Sequence, residues 1–281
     1  MSAISAFAKL TLSVRVIGLR ADGYHEIDAL TVSVSEPHDE VTVELGGDGV
    51  ELELTGSATT GVTTGPDNLA VRAAQLLLVL APEHHRVGGV RIAIRKEIPA
   101  GAGLGGGSAD AAAVLVALDR LLELDLPVDD LVTLGAKLGS DVPFCVRGGA
   151  AFMRGRGERL EPATVPRLHV LIAVPPFAIA TPPVYRAWDG LDGPASARVV
   201  AGPAGVGDLV NDLEPAAEQV EPRLAGFRQQ LEETVGGPAI LAGSGSACAV
   251  LYDEKADAVA ALDRVTAAAI TSKCSVGYFP C

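Results

Sequence analysis

Pro99-Ala-Gly-Ala-Gly-Leu-Gly-Gly-Gly-Ser-Ala-Asp110 is the stretch from which the rest of this chain is read. Five glycines fall between Gly101 and Gly107, and an Ala/Leu/Val run, Ala111–Leu122, follows. Glycine admits backbone conformations and close approaches that a Cβ forbids. Ser108 is placed to cap the helix behind it. A glycine loop that opens a helix presents unpaired N–H groups and the positive end of the helix dipole, which together bind anions. The anion expected here is a nucleotide phosphate.

Three phosphate loops compete for the assignment. A Walker A loop ends in Gly-Lys-Ser/Thr, and no lysine follows these glycines. Gly101, Gly103 and Gly106 satisfy the dinucleotide pattern G-x-G-x-x-G, but so glycine-rich a run satisfies many patterns. That loop also leaves a strand directly, whereas Lys96-Glu-Ile-Pro99 intervenes here after the strand-like Val90–Ile94. The third is the Pro-x-Gly-x-Gly-Leu-Gly-Ser-Ser-Ala loop of the GHMP kinases, which this segment resembles. It differs by one extra glycine and by Ala109 in place of a second serine. A purely structural turn has little use for five glycines.

Composition narrows the classes. At 281 residues the chain suits one large or two small domains. Aromatics are 4%, so the core is built from Ala, Val and Leu. The net charge of −13 argues against a general nucleic-acid surface, which needs a basic stripe. Met1–Lys9 lacks the basic start and apolar run of a signal peptide. The uncharged Leu168–Tyr185 carries Pro175, Pro176, Pro182 and Pro183, which excludes an ordinary membrane helix. Cys145, Cys248, Cys274 and Cys281 are scattered without C-x-x-C, so zinc and a disulfide framework are not expected, and free thiols fit a cytoplasmic location.

Along the chain, Lys9–Val16 and Thr31–Ser35 read as strands. Val41–Leu45 and Val50–Thr55 alternate and are joined by Gly46-Gly-Asp-Gly49, which predicts a hairpin. Asp67-Asn68 opens a helix ending near Pro82, and Pro127 opens another that closes near Gly139. After Gly148-Gly149, a strand at His169–Val174 is followed by a loop over Gly190–Gly207 and helices near Asp208–Gln219 and Pro222–Thr234. Strands broken by occasional helices predict an α+β class, with a domain boundary near residue 155.

Four further segments carry candidate chemistry. Lys9 sits amid apolar strand residues, either snorkelling or holding a charge with a task. Arg20-Ala-Asp-Gly-Tyr-His-Glu26 is a turn in which Tyr24 offers a stacking face and His25 hydrogen bonds. Asp141, in Leu138-Gly-Ser-Asp-Val-Pro-Phe144, is a turn former ahead of an apolar strand or a general base. Leu241-Ala-Gly-Ser-Gly-Ser-Ala-Cys248 is a strand-to-strand turn or a second loop offering backbone N–H groups.

The order of these segments resembles the 4-diphosphocytidyl-2-C-methyl-D-erythritol kinase family of the GHMP kinases over nearly the full length. The resemblance rests on Ala8-Lys9-Leu10, Asp22-Gly-Tyr-His-Glu26, Asn68-Leu69, Pro99–Asp110, Gly139-Ser-Asp-Val-Pro-Phe144, Asn211-Asp-Leu-Glu214 and Gly243-Ser-Gly245. Thr11 stands where the family usually has Asn, and Gly107 where it often has Ser or Ala. The resemblance implies a two-domain fold. Residues 1–155 would form an ATP-binding domain like domain 2 of ribosomal protein S5, and residues 156–281 a ferredoxin-like substrate domain.

The resemblance also implies site residues. Lys9 and Asp141 are the catalytic pair. Asn68, Leu69, Lys96, Pro99, Gly101, Gly103, Leu104, Gly105, Gly106, Gly107 and Ser108 bind ATP, with Mg²⁺ on its phosphates. Thr11, Tyr24, His25, Asp141, Thr181, Tyr185, Gly243 and Ser244 bind a small cytidine diphosphate substrate, with Tyr24 and Tyr185 sandwiching the cytosine. The implied protein is a cytoplasmic monomer or homodimer with no nucleic-acid or membrane partner. A homoserine or mevalonate kinase and a non-catalytic sensor on the same fold are the alternatives; the Tyr24-His25 pair and Gly139–Phe144 speak against the first, and the presence of Lys9 and Asp141 against the second. No G-x-S-x-G occurs, which removes a serine hydrolase.

Overall fold

A computed structural model describes residues 1–81, 88–191 and 198–279. Pro82, residues 192–197 of the expected loop and Cys281 lie outside the described residues. Two long strands, β1 (Ser2–Leu19) and β2 (His25–Leu45), contribute residues to both of two compact units.

The first unit comprises Met1–Lys9, His38–Ala100 and Gly105–Gly148. It holds β3 (Gly49–Thr55), α1 (Leu69–Leu80), β4 (Gly89–Arg95), α2 (Gly106–Leu121), α3 (Val128–Ala136) and α4 (Val142–Arg147). β4 pairs antiparallel with the end of β2 and parallel with β3, so β3, α1 and β4 form a β-α-β unit. This corrects the expected hairpin between Val41–Leu45 and Val50–Thr55. The physical reason lies at Gly88-Gly89, where the Gly46–Gly49 turn bonds to β4 instead of closing on β2. Gly46 N–H donates to Gly89 O (2.8 Å) and Gly49 N–H to Gly88 O (3.1 Å). A Cβ at 89 would stand 2.4 Å from Gly49 O, so only glycine lets the turn settle there.

α2 is buried along most of its length and packs on α1 and α4. Its core positions are Ala111, Val114, Leu115, Ala117 and Leu118, facing a partner helix that buries Ala73, Ala74 and Leu77. Alanines at such contacts let helix axes approach closely, which offsets the shortage of aromatic volume. The segment after Asp141 was expected to be a strand and is instead the short helix α4. Pro143 is compatible with a first helical turn, where no intrahelical N–H is needed.

The second unit comprises Leu10–Pro37, Gly101–Leu104 and Gly149–Cys281. Its first part pairs the start of β2 with β5 (Ala150–Gly155), and β5 with β6 (Arg159–Pro162), all antiparallel. A four-stranded antiparallel sheet has the order β10 (Ile240–Leu241), β11 (Cys248–Tyr252), β7 (His169–Val174), β12 (Lys273–Tyr278). The central β7 is buried from Val170 to Val174, with α8 (Lys255–Ala268) packed on the sheet. α5 (Thr181–Trp188) packs on α6 (Glu214–Val220), and α7 (Arg223–Val235) on α8. The expected loop to Gly207 contains the strand β8 (Val199–Ala201). The expected helix from Asp208 divides into β9 (Asp208–Val210), paired with β8, and α6. β-branched Val199, Val200 and Val210 favour the pleated pairing. The predominance of antiparallel pairing agrees with the α+β expectation.

Candidate active site

Lys9 and Asp141 come together in the first unit, with Lys9 Nζ 3.5 Å from Asp141 Oδ2. β1 carries Lys9 between the fully buried Ala8 and Leu10, and the lysine side chain is 10% exposed against 35% for the aspartate. Asp141 occupies the N-cap position of α4 but makes no capping hydrogen bond with its side chain. A capping carboxylate ordinarily accepts from the second or third amide of the helix. Here the second is Pro143, which has no N–H, and the side chain does not accept from the third, Phe144; the carboxylate lies beside Lys9 instead. Cys145 lies one turn on in the same helix, and burial pushes its thiol well above the usual range, so it is held protonated and unreactive.

The stem of Lys9 lies against the glycine loop. Gly105 is left-handed (φ +70°), and a Cβ there would stand 2.7 Å from Lys9 Cγ. Gly105 is also the N-cap of α2, which corrects the expected capping role of Ser108. A left-handed glycine turns the chain into the helix one residue before Gly106, placing Ser108 inside the first turn. The first backbone bond of α2 runs from Ala109 N–H to Gly105 O (2.9 Å). The amides of Gly106, Gly107 and Ser108 therefore lie outside the helical ladder, with no acidic residue in the first turn. Such an end is an anion site. Gly107 has room for a side chain, its nearest neighbour for a Cβ being Leu69 Cδ1 at 3.8 Å. The amide of Asn68 is spent on α1 and on the chain before it: Oδ1 accepts from Ala70 N–H (2.8 Å) and Nδ2 donates to Thr63 O (2.6 Å). Lys96 is fully buried, and its ammonium donates to Asp39 and Asp110.

The tip of the glycine loop, Gly101–Leu104, belongs to the second unit and is held by the second glycine loop. Gly101 O accepts from Ile179 N–H and Ser246 N–H, and Ala102 O from Ala247 N–H (3.0 Å). A Cβ on Gly103 would stand 2.1 Å from Ala242 O. The segment Ala242–Ala247 is indeed a turn between strands, β10 and β11, and it is buried. Asn211 braces it, with Nδ2 donating to Leu241 O (3.0 Å) and Gly243 O (2.7 Å). Ser244 Oγ lies 2.9 Å from Thr181 Oγ1. Thr11 is buried with its hydroxyl 3.3 Å from that of Thr31.

α5 gathers an aromatic cluster that the motifs only partly announced. Thr181, Tyr185 and Trp188 recur at four- and three-residue spacing and so share one helix face. His25 stacks on Tyr185 (centroids 4.8 Å, interplanar angle 28°) and meets Trp188 edge-on at 5.6 Å. His25 Nε2–H donates to Asp189 Oδ1 at 2.7 Å, since a carboxylate only accepts. Tyr24 is half exposed beneath the Arg156 guanidinium (5.1 Å to the ring centroid). The imidazole thus covers one face of Tyr185. Trp188, Asp189 and Arg156 were missed by sequence reading. The helical spacing from Tyr185 was the available signal for Trp188; Arg156 had none.

Residues 68–149 match the N-terminal domain of the GHMP kinases. The chain is similar to the 4-diphosphocytidyl-2-C-methyl-D-erythritol kinase of Moorella thermoacetica (38% identical, covering 87% of each chain). It is also similar to that of Pelotomaculum thermopropionicum (40% identical, covering 85% of each chain). A crystal structure of 4-(cytidine 5'-diphospho)-2C-methyl-D-erythritol kinase superposes with a TM-score of 0.81 at 33% identity, each chain covered in full. With a lysine–aspartate pair beside a helix-opening glycine loop and this likeness over most of its length, the chain belongs to the 4-diphosphocytidyl-2-C-methyl-D-erythritol kinase family of the GHMP kinases.

Proposed function

We propose that the chain transfers the γ-phosphoryl group of ATP to the 2-hydroxyl of 4-diphosphocytidyl-2-C-methyl-D-erythritol, a step of the non-mevalonate route to isoprenoid precursors. The observation that carries the chemistry is Asp141, uncommitted to its helix cap and 3.5 Å from Lys9, whose stem rests on the first glycine of the α2 entrance. The acceptor oxygen attacks the γ-phosphorus. The bond from that phosphorus to the bridging oxygen breaks, and ADP leaves with the electron pair. The hydroxyl proton passes to the Asp141 carboxylate. The Lys9 ammonium, beside that carboxylate, stabilises the developing alkoxide.

The amides of Gly106, Gly107 and Ser108 receive phosphate oxygens. Pro99, Gly101, Gly103, Leu104 and Gly105 shape the loop, while Asn68, Leu69 and the chain at Lys96 line the nucleotide side. Mg²⁺ would neutralise phosphate charge. The described residues hold no cluster of three or more acidic, His or Cys side chains fit to bind a metal, so phosphate oxygens and the Ser108 hydroxyl are its natural ligands. We assign ATP to residues 1–155 and the acceptor mainly to residues 156–281, with Thr11, Tyr24 and His25 assigned to the acceptor as well.

The acceptor side rests on Tyr24, His25, Thr181, Tyr185, Gly243 and Ser244. With Nε2–H bound to Asp189, the tautomer of His25 that carries its proton there presents Nδ1 as an acceptor. That suits the cytosine amino group and not the carbonyl of uracil. A base stacked on Tyr185 takes the place of the imidazole, which moves to the base edge. An ADP-release assay tests the assignment. Turnover is expected with the cytidine diphosphate acceptor, and at least about a hundredfold less with its uridine analogue, homoserine or mevalonate. Preferred turnover of homoserine or mevalonate would overturn it.

A further inference from the structure

The first unit buries three charges together. Lys96 Nζ donates to Asp39 Oδ2 and, at 2.6 Å, to Asp110 Oδ2. Asp39 Oδ1 accepts from the backbone N–H groups of Glu97 (2.5 Å) and Ile98 (2.9 Å). Asp110 Oδ1 is buried and accepts no hydrogen bond among the described residues. All three side chains are less than 6% exposed. Two carboxyl groups crowd around one ammonium in a dry volume. Apolar side chains of similar volume would commonly serve stability as well or better, so stability alone does not account for the cluster.

Its place in the chain does. Lys96 directly follows β4, on the stem that enters the glycine loop, and Asp110 lies in α2, on the stem that leaves it. Asp39, on β2, grips the amides at 97 and 98. Gly106 adds a close contact between the stems, since a Cβ there would stand 2.9 Å from Ile98 Cγ2. Between the stems, Gly101, Gly103 and Gly105 have positive φ and no side chains with which to hold themselves. Glycines lose more freedom on ordering than any other residue. Preorganised N–H donors hold an anion only when their positions are fixed in advance.

We infer that Asp39, Lys96 and Asp110 are positioning residues for the nucleotide phosphates: a buried ionic clamp that ties together the two stems of the glycine loop, and in which the Lys96 ammonium is consumed rather than offered to ATP. The inference rests on the reading of that loop as the phosphate site. Removing Asp110 lets the stems part, whereas a lysine that served ATP directly would be released by the same change and bind ATP better.

Calorimetry with a non-hydrolysable ATP analogue and Mg²⁺, without acceptor, measures the clamp independently of the acceptor assignment. Asp110→Ala is expected to weaken analogue binding about tenfold or more, and Asp110→Asn, which keeps an oxygen for the ammonium, to recover most of it. Lys96→Met should weaken binding to a similar extent, and the double variant Lys96→Met/Asp110→Ala no further than either single change, because the pair acts as one unit. In turnover the loss falls on the KM for ATP, with the KM for acceptor within about twofold of wild type. An Asp110→Ala variant that melts normally and binds the analogue as wild type, or more tightly, overturns the clamp. If that variant does not fold, Lys96→Met and Asp110→Asn decide it, equal affinity in both being the contrary result. Wild-type protein that binds the analogue but does not phosphorylate the acceptor would sink the acceptor assignment and leave the clamp standing.

Discussion

Two lysines of the first unit face aspartates, and their surroundings differ in every respect that matters. Lys9 meets one aspartate at 3.5 Å, at a rim where that carboxylate is a third exposed. Lys96 meets two, within hydrogen-bond contact, where nothing is exposed beyond 5%. The first pair is in looser contact and its carboxylate is open to solvent, as the proposed proton transfer from a ligand requires. The second is saturated and dry; its ammonium has no reach to spare, and its value lies in what it joins. A charge pair's task is thus read from exposure and unspent bonding capacity rather than from residue type.

The largest effect is expected at the Lys9–Asp141 pair. Asp141→Asn keeps shape and removes basicity, so kcat should fall about 10²–10⁴-fold with the KM for ATP little changed. Steady-state kinetics within a few-fold of wild type would reduce Asp141 to a positional role. Lys9→Ala should lower kcat about a hundredfold or more. If the loss appeared instead as a lower melting temperature with normal kcat, Lys9 would be a snorkelling strand residue.

The glycine that touches Lys9 connects that pair to the proposed phosphate loop. Gly105→Val forces a side chain into Lys9 Cγ at a left-handed backbone position, and should weaken ATP binding and lower kcat together, each about tenfold or more. Gly107→Ser, two residues on, meets only Leu69 at the edge of contact and should leave ATP affinity within about twofold. Equal penalties by calorimetry would contradict this account of the loop.

On the acceptor side, Tyr185→Ala should raise the acceptor KM about tenfold and leave ATP alone, a stack being worth about 1–3 kcal/mol by the scale for nucleic-acid bases. An unchanged KM would remove the aromatic cluster from cytosine recognition.

The smallest effect belongs to the buried cluster and is a slope with pH. Burial is the main cause that pushes the Asp110 carboxyl up to about 7, with Lys96 opposing and Asp39 adding to it. A folded-state value above the unfolded one means that the folded protein binds the proton more tightly. The associated stability is present below the ordinary 3.8 and is lost as pH rises through about 7. The melting temperature of Asp110→Asn should therefore fall less than that of wild type between those values. Parallel melting curves would show that Asp110 is ionised in the fold throughout.

Much of the site was legible because its chemistry is local. Glycines in succession, a proline after Asp141 and the Asn68 cap each constrain their own few residues. The partners of Lys96 were not legible. Asp39 lies 57 residues before it and Asp110 14 residues after it, and a lysine at a strand's end reads equally well as a ligand contact. The same holds for the junction of the two glycine loops at Gly101–Gly103 and Ala242–Ala247, which is made by backbone groups that leave no trace in side-chain pattern.

The sequence by itself determined the helix-opening glycine loop, the lysine and the aspartate proposed as the catalytic pair, and the α+β class. These follow from residue types acting over a few bonds, and from an order of motifs that few families share. Tertiary structure alone decided that β4 lies between β2 and β3, that Asp141 is released from its cap toward Lys9, that His25 lies on Tyr185, and that Lys96 is sealed between two carboxylates. Each of these depends on which distant groups share a small, dry volume. Burial there multiplies electrostatic and packing energies that a local reading of the chain cannot apportion.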